Sequence, residues 1–299
     1  MRHIGFWLLK DNRYAIICVL LCALLLLIPL PGDFLAGIII GFVTLKRGPL
    51  YGFYILLFVA LLAAGVTFQI RNVNIFLFLL LRTTLVWIGA VTLRRCYSWT
   101  ITIEAITAIG LIVVLLAHFL IPDLQQMWIH TLENYFSLIQ TIKVGALQIT
   151  SRHLIAIMTP LMTGLTVLFG SIGIVIQIML ARFWFSSIFN PSGFAQEFAM
   201  IRVSRIASVI FLVMIGLTIF YHHILIDYFP VLFLPFIISG LSLLYFFAIM
   251  KRHWWPFFIL IAIILFVFLG ISVILLALLS FIDSWFNLRL KFNLTSKKK

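Results

Sequence analysis

Nine apolar runs fill most of this chain: Tyr14–Leu30, Asp33–Leu45, Leu50–Phe68, Val73–Leu93, Trp99–Ile121, Leu154–Leu180, Ile206–Leu225, Val231–Ile249 and Phe257–Phe281. Most reach or approach the roughly 20 residues a helix needs to cross a hydrocarbon core about 30 Å thick. Backbone polar groups have no water to bond inside lipid, so such runs satisfy themselves as helices. Water-soluble burial is ruled out by the balance of residue types. Hydrophobic residues make up 64% of the chain and charged ones 10%, against about half and a quarter in soluble domains. The fold class that follows is all-α: a polytopic transmembrane helical bundle of eight to nine spans.

The charges orient it. With a cytoplasmic N-terminus and every run crossing, one side collects Arg2, Lys10, Arg13, Lys46, Arg47, Arg94, Arg95, Arg182, Arg202, Arg205, Lys251 and Arg252. The other side collects Arg71, Lys143 and Arg152 before the tail. Cationic loops stay on the cytoplasmic side. Nine crossings would strand Arg289, Lys291 and Lys297–Lys299 outside, so eight crossings with the tail inside are expected. The net charge of +13 lies just beyond the apolar runs. That placement suits anionic lipid headgroups, and no nucleic acid is expected as a partner. Tyr14–Leu30 has no Ala-x-Ala cleavage site and reads as a retained signal-anchor span.

Local patterns add detail. Gly37 and Gly41 have the small-xxx-small spacing that lets two helix backbones touch, with no partner evident from sequence. Pro122-Asp123 ends the fifth run. After it, apolar residues recur at threes and fours from Leu124 to Ile149, the pattern of an amphipathic helix lying in the interface.

Polar residues inside the runs are candidates for function. Arg82 sits mid-run, where a guanidinium costs about 3 kcal/mol on insertion scales and must face a partner or a watery cavity. Glu104, early in the next span, is the candidate partner; the two form either a ligand-binding site or a buried charge pair. His118 and Gln177 read as hydrogen-bonded packing residues. His222, His223 and Asp227 gather at a span end without a third spaced ligand, so no metal site is expected. Cys18 and Cys22 share a helix face and read as packing residues; Cys96 has no partner thiol in view. Nothing matches HExxH, GxSxG, a P-loop or GxGxxG, so neither an enzyme nor a cofactor is expected.

The segment from Ala181 to Arg205 breaks the grease. Arg182 and the aromatics Phe183, Trp184 and Phe185 read as an interfacial belt. Asn190-Pro191-Ser192-Gly193 is a turn signal, and a short helix with Glu197 near its start should follow. Its apolar face carries Phe194, Phe198 and Ile201, with Arg202 and Arg205 after it. The segment reads as an interfacial connector, or as a surface that docks a cytoplasmic partner.

Those residues carry a resemblance. Ala181, Arg182, Phe183, Trp184, Asn190, Pro191, Gly193, Phe194, Glu197, Phe198 and Arg202 resemble the signature of the YybS-like family of uncharacterised bacterial membrane proteins. Ser192 replaces a family glycine. Asp283, Trp285 and Arg289 resemble the family's C-terminal ending, with Asn287 in place of an acid, and Pro29, Pro31 and Gly48 resemble its N-terminal pattern. The resemblance implies a bacterial inner-membrane protein related in fold to the S-components of energy-coupling-factor transporters and to the shape-determination protein MreD. It implies a six-helix S-component-like core over 1–180, a cytoplasmic interfacial loop over 181–205, and C-terminal membrane helices with a basic tail over 206–299.

Two readings of function result. The first is binding or transport of a small molecule through the core, near Arg82 and Glu104. The second is a non-transporting scaffold in the lipid bilayer that docks membrane or cytoplasmic protein partners. Its docking set would be Arg182, Trp184, Asn190, Pro191, Gly193, Phe194, Glu197, Phe198 and Arg202.

Overall fold

The computed structural model describes residues 12–24, 32–70, 73–140, 151–191, 193–220, 225–250 and 269–290. Among them every regular element is helical. In chain order these are α1 (Asn12–Leu24), α2 (Gly32–Arg47), α3 (Pro49–Ile70), α4 (Val73–Cys96), α5 (Trp99–Leu120) and α6 (Leu124–Gln140). They continue as α7 (Ser151–Met158), α8 (Met162–Phe189), α9 (Gly193–Ala199), α10 (Arg205–Phe220), α11 (Phe229–Met250) and α12 (Leu269–Phe286). Short 3₁₀ turns at Thr159–Leu161 and Ile226–Tyr228 lead into α8 and α11. His222, His223, Ser192, Arg71, Lys143, Lys251, Arg252, Lys291 and Lys297–Lys299 lie outside the described residues, as do the end of the first apolar run and the start of the ninth.

Among the described residues, three helical stretches are long and apolar enough to cross a membrane: Trp99–Leu120, Leu154–Phe189 and Ile226–Ile249. Shorter apolar helices run over Pro49–Leu61, Arg205–Thr218 and Gly270–Phe286. The stretch Leu154–Phe189 has 36 residues. At the helical rise that is about 54 Å, well beyond the hydrocarbon core. Near its start Pro160 cannot donate to an α-helical bond, and there the helix tightens into its 3₁₀ turn. Helix α8 runs on past Leu180 to Phe189, so the expected break at Ala181 begins only at Asn190. After α5, Asp123 adopts a left-handed φ of 60°, which ends that span where Pro122-Asp123 signals it.

The chain divides into two compact units, each assembled from segments distant in sequence. One comprises Met1–Ile106, Ile172–Arg202 and Ser242–Phe258; the other comprises Thr107–Ser171, Val203–Leu241 and Ile259–Lys299.

In the first unit, α2 is the buried centre, and this explains its length. Ala36, Ile40, Phe42 and Val43 are fully enclosed, and α1, α3 and α4 pack around the helix. It meets protein rather than lipid. Gly37 and Gly41 do mark a helix contact, and the partner is α8. A Cβ on Gly41 would stand 3.1 Å from the Ala181 Cβ, and one on Gly37 would stand 2.9 Å from the Gln177 side chain. At the other end of α2, Gly48 takes a φ of +117°, a conformation favouring glycine. Arg94 Nη1 donates to the Thr44 and Leu45 carbonyls at 3.1 and 2.7 Å, so a cation occupies the helix C-terminus.

The second unit has a core of Val203, Phe211, Leu232, Phe236 and Ala277. The Phe211 ring contacts Phe229, Phe233 and Phe236 within it. Gly240 brings α11 against α12; a Cβ there would stand 2.7 Å from the Leu276 carbonyl oxygen. Arg289, counted by the sequence among exposed tail charges, is instead buried. Asn287 turns the chain with a φ of 47°, and Arg289 Nε returns to Asp283 Oδ2 at 3.2 Å. A buried guanidinium needs such a partner, so it no longer belongs to the topology count.

Candidate functional site

The Arg182–Arg202 segment is built as a latch. Ser186, on the last turns of α8, donates its hydroxyl to the Asn190 carbonyl at 2.6 Å and accepts the Phe194 N–H at 3.0 Å. Gly193 N–H closes the expected turn onto the Asn190 carbonyl at 3.0 Å. The turn sets α9 beside α8, where Arg182 Nε and Nη2 donate to the two Glu197 oxygens at 2.9 and 2.5 Å. Bidentate pairs of this kind fix geometry as well as charge. Trp99 Nε1 donates to the same carboxylate at 3.2 Å. Burial alone would raise the pKa of Glu197, but the Arg182 hydrogen bonds and charge, with the Trp99 bond, hold it below the usual value of 4.5.

Glu197 therefore serves Arg182, not the start of its own short helix as the sequence suggested. Further bonds tie the segment down: Thr100 Oγ1 donates to the Arg202 carbonyl at 2.7 Å, and the Ser242 hydroxyl donates to the Phe198 carbonyl.

Around this latch lies an apolar groove of about 890 Å³. Its walls include Phe183, Phe194, Phe198 and Tyr245, with Ser186 and Pro191 at one edge. The aromatic wall is continuous: Phe194 meets Phe183 and Phe198 at 5.8 and 6.1 Å, and Phe198 meets Tyr245 at 5.2 Å between centroids. All these residues belong to the first unit.

The docking set read from sequence is thus split. Pro191, Phe194 and Phe198 line the groove; Arg182 and Glu197 pair with each other on the two helices that carry it. Asn190 and Gly193 build the turn, and a Cβ on Gly193 would stand 2.6 Å from Asn190 Nδ2. Arg202 is half-buried and contributes its carbonyl. Trp184 departs from the expectation. Its ring stacks on buried Phe42 at 4.8 Å, so one face of it anchors α8 to α2. Phe185 and Phe189 likewise receive Lys46, whose Nζ lies 3.8 Å over the Phe189 ring. Sequence reasoning missed Trp99, Ser186, Ser242 and Tyr245, which are ordinary span residues until the fold brings them together.

The second candidate region lies deeper in the same unit. Gln177 is fully buried; its Nε2 donates to the Phe34 carbonyl at 3.2 Å, while its Oε1 has no hydrogen-bond partner among the described residues. Arg82 approaches the same helix: a Cβ on Gly173 would stand 3.2 Å from its Nη2, and its guanidinium lies 5.7 Å from the Phe34 ring centre. Glu104 is half-buried on α5. Both Arg82 and Glu104 make further interactions, so neither is a bare charge.

In the other unit, His118 meets Asp227 rather than standing alone. His222 and His223 fall outside the described residues, and among those described no group of three metal-ligating side chains occurs.

These features define an all-helical membrane protein by the length and composition of its helices. No family model, curated protein or solved structure matches the chain.

Proposed function

We propose that the protein is a membrane-embedded docking scaffold whose groove beside the Arg182–Glu197 latch receives an apolar helix of a partner protein. One observation carries this reading: an aromatic groove of about 890 Å³ whose shape is held by a bidentate ion pair and a hydrogen-bonded turn. Rigid aromatic walls around an apolar trough favour helix-in-groove recognition. The reading goes with a YybS-like protein of the bacterial inner membrane, its N-terminus cytoplasmic, its chain crossing eight times. In that topology the latch faces the cytoplasm.

The test is site-specific photo-crosslinking in native membranes. A crosslinker at Ala195, in the groove, is expected to give a protein adduct of discrete mass. A crosslinker at Val213, on an exposed helix face, should give lipid adducts alone. Equal lipid labelling at both positions would reject the docking reading.

A second reading rests on a different observation, the buried Gln177 Oε1 without a hydrogen-bond donor. Such an atom costs about 1–3 kcal/mol unless something bonds it. A small polar or anionic ligand near Arg82 would supply the donor and complement the guanidinium. Mass spectrometry of the intact protein under native conditions would find that ligand in wild type and miss it in Gln177→Leu.

A further inference from the structure

In the second unit, His118, near the end of α5, faces the turn Ile226–Tyr228 that leads into α11. Hydrogen-bond accounting assigns its nitrogens. Nδ1 lies 2.9 Å from the Val114 carbonyl oxygen, which can only accept, so Nδ1 carries a proton. Nε2 lies 3.6 Å from Asp227 Oδ2, an ion-pair distance rather than a hydrogen bond. The Asp227 carboxylate is already an acceptor twice over. Gly164 N–H donates to its Oδ1 at 2.6 Å, and the Thr163 hydroxyl bonds the side chain as well. That hydroxyl is free to donate because its oxygen takes the Trp128 indole N–H at 3.0 Å. Gly164 is required here; a Cβ would fall 1.8 Å from the Asp227 carbonyl oxygen.

Asp227 is therefore a buried carboxylate, 5% exposed, whose hydrogen-bond donors are all neutral. A buried charge needs a counter-charge. A neutral His118 protonated at Nδ1 would turn the Nε2 lone pair toward the carboxylate and repel it. An imidazolium would attract it. The ring is also the more exposed member of the pair, with its side chain 41% exposed, and it stands two residues from the end of α5. Tyr228, whose ring stacks on His118 at 6.1 Å, is the remaining titratable group packed on this pair among the described residues. It is neutral and cannot supply the charge.

We propose that His118 and Asp227 form a binding site for a single proton. The exposed imidazole takes the proton at Nε2 from the aqueous side, and the resulting imidazolium neutralises the buried carboxylate. Bound, the proton ties α5 to the Ile226–Tyr228 turn and, through Gly164 and Thr163, to the start of α8. Released, it leaves two electron pairs facing each other and loosens that junction. The ion pair belongs to the acidic side and is lost once the imidazole gives up its proton.

The test uses the full-length protein in lipid nanodiscs. Thermal unfolding of wild type is expected at a higher temperature at about pH 5 than at about pH 8.5, values on either side of the histidine range. That difference should disappear in His118→Gln and in Asp227→Asn. A wild type with no pH difference, or one whose difference persists in His118→Gln, would overturn the proposal. Should Asp227→Asn fail to fold, ¹⁵N-histidine spectra of wild type decide, with the His118 signal assigned by its loss in His118→Gln. Two protonated ring nitrogens on the acidic side and Nδ1–H alone on the basic side are expected. An Nε2–H tautomer on the basic side, or a neutral ring on the acidic side, would overturn the assignment.

Discussion

Arg182 and Glu197 are joined by two hydrogen bonds across the Asn190–Gly193 turn, from the end of one helix to the body of the next. The pair is partly buried, with side chains 24% and 33% exposed. It therefore holds α9 in place more firmly than a surface ion pair would. The groove inherits its shape from this contact.

Glu197→Gln should weaken the latch by about 2 kcal/mol, the range for hydrogen bonds to charged groups. Thermal unfolding in nanodiscs, followed by tryptophan fluorescence, measures the loss. Arg182→Gln should cost a similar amount, and the double variant should cost clearly less than the sum. Additive losses would mean that the two residues act separately.

The same pair gives the latch a pH dependence of known sign. The Glu197 carboxyl is held below its usual value of 4.5 in the fold. Its stabilisation is thus fully present above that value and is lost as pH falls through the lower folded one. Limited proteolysis at the Asn190–Gly193 turn should stay slow at neutral pH and speed up in acid. Glu197→Gln should be cut at an equal rate at both pH values.

Removing the Ser186 hydroxyl tests the turn independently of charge. Ser186→Ala leaves the Phe194 N–H short of a partner and takes one of two donors from the Asn190 carbonyl, a cost of about 1–2 kcal/mol. The readout is the unfolding temperature, with Ser187→Ala as control, because Ser187 bonds back to its own helix at Phe183. Equal shifts in the two variants would show that the turn does not depend on Ser186.

Gly41→Leu should destabilise the first unit by about 3 kcal/mol through overpacking. At 3.1 Å the Ala181 Cβ leaves no room even for the first added carbon. Gly216, which has nothing within 4 Å of its built Cβ, should accept Ala without loss. Comparing unfolding temperatures of Gly41→Leu and Gly216→Ala checks both.

Much of the helical layout was legible because lipid leaves an apolar run a single common solution, and the runs at 73–93, 99–121 and 231–249 match helices within a few residues. The Asn190 turn was legible for a local reason: asparagine, proline and glycine each carry their own backbone preference. The length of α2 could not be understood from sequence, since a short apolar helix looks the same in thin lipid and inside protein. The contact of Trp184 with Phe42 was hidden for a related reason. An aromatic beside an arginine reads as an interfacial belt until α2 arrives to stack on it. His118 and Asp227 lie on different spans, and no periodicity links them; their encounter belongs to tertiary packing.

Native mass spectrometry of gently extracted protein, wild type against Ala195→Trp, bears most directly on the docking reading. The tryptophan would fill the groove between Phe194 and Tyr245 while leaving the Arg182–Glu197 pair intact. Wild type should retain a protein adduct of one discrete mass, and the variant should lose it while keeping its lipids and its unfolding temperature. An adduct retained equally by both proteins, or absent from both, would contradict a partner seated in this groove.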